Sequence, residues 1–154
     1  MATSTTSTNA LPSFIADPKS IEQKTGRQIA WDLVDDSYID ADTGKKRLKA
    51  GTVVSEFQTG DEAGKVAEYG AVDAAQSPDE TATPLGILIS EANEDAPAEA
   101  LTGYGILVGG VLYDNLLPDA AGGPPKTIGS TKKNALATAG CTFKWEVYAD
   151  SRAD

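Results

Sequence analysis

Three pairs of neighbouring acids, Asp35–Asp36, Asp79–Glu80 and Glu94–Asp95, are the first places in this sequence to look for chemistry. Two carboxylates facing each other across a cleft can act as general acid and base in glycoside hydrolysis, provided burial raises the pKa of one of them. Each pair here stands among small polar residues in a loop-like stretch, so a solvated surface is the expected setting. Asp36, Asp40, Asp42 and Gly44 have the outline of a calcium loop. Counted from Asp40, however, the twelfth position is Gly51 rather than a bidentate acid, and Lys45, Lys46 and Arg47 fall inside the loop. GGPPKTIGSTKK, residues 122–133, approximates a phosphate loop, but Gly129 is followed by Ser-Thr-Lys, and two prolines remove backbone donors from the cradle. Cys141 is the only cysteine, and the chain has no histidine to activate it. No catalytic residue, no metal ligand and no cofactor is expected.

Composition points the same way. The absence of histidine removes the commonest general base and the commonest zinc ligand together. One cysteine cannot form an intramolecular disulfide, which fits synthesis in a reducing cytoplasm. A net charge of -10 repels phosphate backbones, so no nucleic-acid partner is expected. No run approaches the roughly 18 apolar residues of a membrane span, and the polar N-terminus has no apolar core of a secretory signal. The 154 residues suffice for one domain with a real core.

The elements that must carry any surface follow from pattern. Residues 1–11 are mostly Ser, Thr, Ala and Asn and cannot bury enough apolar area to offset the entropy of ordering. With the small apolar cluster Leu11, Pro12, Phe14 and Ile15, they read as a flexible arm spanning 1–15, followed by one domain over 16–154. Strands are expected at 26–34, 49–55, 66–72, 85–92, 104–113 and 141–148. Asp42-Thr43-Gly44-Lys45 marks a tight turn inside a hairpin insertion at about 35–49. STKKNALATAG, 130–140, reads as a helix capped by Ser130 or Thr131, closed by Gly140, with Leu136 toward the core. In the last strand Cys141, Phe143, Trp145 and Val147 share the inner face. Trp31 and Trp145 are expected in the core. Glycines inside 104–113 (Gly105, Gly109, Gly110) signal a bend or a close approach of another backbone. The fold class is α+β and mainly β: a small curled, barrel-like sheet with one or two short helices and an extended N-terminal arm.

The order of these segments carries a resemblance. AGTVV (50–54), EYGAVDAA (68–75), PLGILISEAN (84–93), GYGILVGGVLYDNLLP (103–118) and STKKNALATAG (130–140), followed by a last strand, resemble the head decoration, or capsid cement, proteins of tailed bacteriophages of the lambda type. The resemblance covers residues 50–148 as a pattern of elements; residues 20–49 have no counterpart in it. It implies a structural, non-enzymatic virion protein, made in the host cytoplasm and placed on the outer face of the head. Its implied partners are the major capsid protein and itself, as a homotrimer at three-fold positions that stabilises the expanded shell. The implied capsid-binding arm comprises Thr3, Ser4, Thr5, Thr6, Leu11, Phe14 and Ile15, and Tyr113, Leu116 and Leu117 are expected at the trimer contact; the alternative is that both leucines cap the core of a single subunit. Another virion β-domain, associated with a tail tube or fibre, fits the Gly-rich strands and acidic loops nearly as well. A small carboxylate-dependent enzyme ranks well behind both.

Overall fold

The computed structural model describes residues 11–58, 60–70, 83–95, 102–118 and 128–149. Among these residues eight strands and one α-helix run in the order β1 (Glu22–Gln28), β2 (Arg47–Leu48), β3 (Val53–Glu56), β4 (Val66–Glu68), β5 (Thr83–Leu88), β6 (Ala92–Asn93), β7 (Thr102–Tyr113), α1 (Ser130–Thr138) and β8 (Thr142–Glu146). The main sheet has the order β1-β7-β5-β3-β4, with β8 added beside β7, while β2 and β6 form a separate ribbon. All pairings are antiparallel except β7 with β8. The mainly-β α+β class holds, but the sheet is open, ending at β1 and β4, and does not close into a barrel.

The central strands are buried on both faces, which explains why their sequences read as continuous apolar runs rather than alternations. Neighbouring residues feed opposite cores. Val54, Leu88 and Ile106 join Ile29, Val34, Leu48 and Phe57 on one side. Val53, Ile87 and Leu107 join Phe14, Leu112, Leu117 and Leu136 on the other. Gly86 sits where β5 crosses β7 so closely that a Cβ there would overlap the Leu107 carbonyl oxygen. The pairing of β3 with β5 shifts register beside it.

β7 changes partners along its length. Its first part pairs with β1 and, at Ile106–Leu107, with β5. From Gly109 to Tyr113 it pairs with β8. Opposite β8, Ala16 donates its N–H to the Val111 carbonyl at 2.9 Å, and Ile15 bridges Leu112. The exchange falls at the adjacent glycines. Gly110 has φ +138°, and a Cβ on it would press on the Ile21 backbone at 3.2 Å.

Several sequence expectations shift. The first strand is Glu22–Gln28 rather than 26–34. Its residues are polar because it is an edge with both faces largely wet. The apolar stretch after it instead folds down as two 3-10 turns, Trp31–Leu33 and Asp36–Tyr38, that cover one core. Residues 35–49 are not an appended insertion. The Asp42–Lys45 turn is present, with the Asp40 N–H on the Lys45 carbonyl at 2.8 Å, but Leu48 is fully buried and β2 pairs with β6. The helix begins at Ser130, so Gly129 occupies the N-cap and no side chain caps it. Its other end is as expected: Gly140 has φ +97°, and the N–H groups of Gly140 and Cys141 close a Schellman motif on the Ala137 and Leu136 carbonyls. Leu136 is buried. Val147 lies beyond the end of β8 and is 70% exposed, because the strand stops at Glu146.

Candidate interaction surface

The described chain enters the fold at Leu11. Pro12 accepts the Ile15 N–H at 3.1 Å, a tight turn that swings Phe14 inward. Tyr113 then donates its N–H to the Phe14 carbonyl at 2.7 Å, so Phe14–Ala16 adds a short rung to the end of β7. Beside this turn lies an open groove of about 340 Å³ lined by Pro12, Ser13, Phe14, Lys49, Ala50, Leu116 and Pro118. Gly51 stands at its base with φ +98°, donating its N–H to the Leu88 carbonyl at 2.7 Å. A Cβ on Gly51 would lie 2.5 Å from Pro118 Cδ and 3.1 Å from the Phe14 ring, so any other residue would push the walls apart.

This groove gathers residues that the sequence assigned to two separate roles. Phe14 and Leu116 both line it, and Leu117 packs in the core cluster that also holds Phe14. The assignments themselves need correction. Phe14 and Ile15 are only 3% and 7% exposed, so they pack in the folded body rather than standing in a free arm. Leu117, 4% exposed, is likewise a core residue of the single chain, as the core-capping alternative for the two leucines expects. Leu116 is half-buried. Tyr113 is half-buried and meets Tyr148 edge to face, with ring centroids 5.3 Å apart. Leu11 is 40% exposed, next in the chain to the groove wall. Thr3, Ser4, Thr5 and Thr6 lie outside the described residues.

Polar contacts fix the same end of β7. Asn115 uses its side-chain amide like a backbone unit: its Nδ2 donates to the Tyr148 carbonyl at 2.9 Å and its Oδ1 accepts the Tyr148 N–H at 2.8 Å. That pair holds Tyr148, itself 42% exposed, against Tyr113. Asp114 is buried: its Oδ2 is paired with Lys133, whose Nζ lies 2.7 Å away and 5.4 Å from the centre of the Trp145 ring, while its Oδ1 has no hydrogen-bond partner. Trp31 and Trp145 are both partly buried against the two cores rather than free anchors.

Among the described residues, the carboxylate pairs show no raised acid facing a second carboxylate. The Ser37 side chain and backbone beside Asp35 hold its carboxyl below the usual range, the opposite of what an acid catalyst needs. Glu94 accepts the Lys46 N–H at 3.0 Å. Asp79 and Glu80 lie outside the described residues. Besides Asp114, one further described acid is buried, and the sequence reading passed over it. Glu68, 7% exposed, has its pKa pushed up by desolvation, although hydrogen bonding from its own backbone and from Asp35 opposes the rise. The signal for it was a charge inside the short strand VAEY, flanked by residues that face both cores. The Cys141 thiol is pushed up by burial, against the weaker pull of Lys24, and its Sγ lies 3.2 Å from the Leu85 carbonyl. Among the described residues no cluster of three or more His, Cys, Asp or Glu is placed to hold a metal ion, and no helix is long and apolar enough to cross a membrane.

No protein-family model matches the chain, and no curated protein is similar to it.

Proposed function

We propose that this protein is a structural, binding-only component of a tailed-phage head, attaching to the outer face of the capsid and holding the expanded shell together. The observation that carries the reading is the apolar groove at Pro12–Phe14 and Leu116–Pro118, set where the Ser/Thr-rich N-terminal stretch joins the folded body. A polar segment with no apolar surface of its own gains structure by pairing its backbone with another chain's sheet edge, and a groove beside its root supplies side-chain contacts next to those hydrogen bonds. The net charge of -10 keeps a protein made in many copies soluble. Self-association as trimers belongs to the same proposal. Leu116, Tyr113 and Tyr148 are the apolar side chains at the groove end of β7 that remain accessible for it. Many weak contacts, repeated by shell symmetry, then give tight net attachment.

The test is co-sedimentation with expanded empty heads of candidate phages, comparing the full chain, a protein lacking residues 1–10, and Leu116→Asp. The truncation stops short of Pro12 so that the core stays intact. Saturable binding by the full chain that both changes weaken supports attachment through arm and groove together. Failure to bind any head, together with binding to tails, rejects the head and favours the tail-associated alternative. Sedimentation velocity of the free protein tests the trimer, which Leu116→Asp should dissociate.

A further inference from the structure

Among the described residues two carboxylates are buried, each with one oxygen that has no hydrogen-bond partner, and they differ in what holds the other oxygen. Asp114 has a cation, Lys133, at 2.7 Å. Glu68 has instead a backbone donor from far away in sequence: its Oε1 accepts the Asp35 N–H at 3.0 Å, while its Oε2 is buried with no hydrogen-bond partner. The segment it grips is the one that covers the Val54–Leu88–Ile106 face of the sheet. Ile29, Ala30 and Val34 of that segment are buried, and Trp31, Leu33 and Tyr38 pack on the same core. Three ties hold this strap down. The Ala30 N–H bonds the Val66 carbonyl at 2.8 Å, Lys46 Nζ bonds the Trp31 carbonyl at 2.9 Å, and Glu68 holds Asp35. The indole Nε1 of Trp31 is also buried and unpartnered. A parallel bridge joins Ile29 to Val66, two residues before Glu68.

We propose that Glu68 is a protonation-dependent fastener for the strap Ile29–Tyr38: protonation weakens the Asp35 hydrogen bond itself but removes the larger cost of a confined charge, so the strap sits more firmly when the carboxyl is neutral. With the proton bound, one oxygen still accepts from Asp35, and the other exchanges a bare charge for an O–H group. With the proton lost, a charge is confined in apolar surroundings without a full set of donors, and lifting the strap lets water reach it. The charged groups facing it do not cancel this. Asp35 adds a like charge. Lys46, the facing cation, is already engaged by the Trp31 carbonyl and lies 3.7 Å from Asp36, and its pull is the weakest of the influences on Glu68. The sign follows from linkage. Since the folded-state pKa lies above the ordinary 4.5, the stabilisation is full below pH 4.5 and is lost as pH rises through the folded value. Most buried carboxylates that serve as ties loosen in acid; this one tightens.

The Asp35 amide proton, bonded to the carboxylate in question, is the reporter. In the full chain its NMR shift is followed against pH, with Glu68→Gln beside it. The neutral amide of glutamine keeps the acceptor and removes the proton. The expected result is a one-proton step with a midpoint above pH 4.5 in the parent, absent from Glu68→Gln. The Asp35 carboxyl, held below its usual 3.8, titrates separately at lower pH. A step confined to below pH 4.5, or an identical step in Glu68→Gln, overturns the proposal. Should Glu68→Gln fail to fold, carbon-detected titration of the glutamate side-chain carboxyls in the parent decides instead. A Glu68 midpoint above 4.5 that coincides with the Asp35 amide step upholds the fastener, and a midpoint at or below 4.5 removes it.

Discussion

Phe14→Ala separates a folded-body residue from an arm residue more sharply than any other single change. Phe14 is 3% exposed and packs with Val53, Ile87, Leu112 and Leu117. Truncating a buried phenylalanine costs about 3–5 kcal/mol, from lost transfer energy and from the cavity left behind. Phe14 also lines an open groove, so water and neighbouring side chains can fill part of the hole, and the low end, about 3 kcal/mol, is the expected value. For a chain of this size that lowers the thermal midpoint by about 6–12 °C. Urea unfolding followed by tryptophan fluorescence measures it, with an unchanged denaturant slope as the check that only stability moved. Two companions set the scale. Val147→Ala, at a 70% exposed site, should stay within about 0.5 kcal/mol, and deletion of residues 1–10 should leave the midpoint unmoved. A Phe14→Ala loss below about 1 kcal/mol would refute the reasoning and return Phe14 to the arm.

Other consequences are equally specific. Gly86→Ala forces a methyl onto the Leu107 carbonyl oxygen, which cannot rotate away, and should cost about 3 kcal/mol in urea unfolding, the upper end for overpacking. Lys133→Ala leaves Asp114 buried without its cation; the expected loss is about 1–2 kcal/mol, discounted because the lysine is 28% exposed, and Asp114→Asn in the same chain should recover part of it in a double-mutant cycle. Cys141, with its thiol pushed up by burial, should react with a disulfide reagent at pH 8 on the order of tenfold slower than a free thiol, and at the full rate in urea.

Much of the sheet can be seen in the sequence because its central strands are apolar on both faces. Val53–Val54, Gly86–Leu88 and Ile106–Leu112 announce themselves without any knowledge of neighbours. The helix could be read from Leu136 and Gly140, since one buried residue and one left-handed glycine suffice to place its inner face and its end. What stayed hidden depends on partners distant in the chain. β1 has no apolar alternation, because an edge strand with two wet faces is identified only by the strand it pairs with. Phe14 and Ile15 look like the tail of a polar arm until β7 is there to receive them. Leu117 and Leu116 are adjacent and alike in sequence, yet one is core and the other half-open, a difference set by Phe14 and Pro118 rather than by local pattern. Glu68 escaped notice because burial of a charge is a tertiary fact; only its place between residues of opposite cores hinted at it.

The way β7 collects its partners sets the order in which this chain can fold. Glu22 must wait for Gly109, and Ile15 for Leu112, before either finds its rung, and Thr142 then joins Gly109 from the other end of the chain. At ordinary rates of synthesis roughly 5–20 s pass between the emergence of the first of these segments and that of its mate. Throughout that interval Phe14 and Ile15 are exposed on a nascent chain with nothing to cover them. Pairings so far apart in sequence also place the molecule among slow folders, with closure of β7 as the committing step. Dilution from denaturant should therefore show β3, β4 and β5 acquiring amide protection before residues 14–28 do, because Val54 with Glu68 and Ile87 with Leu107 are far closer in sequence than Glu22 with Gly109.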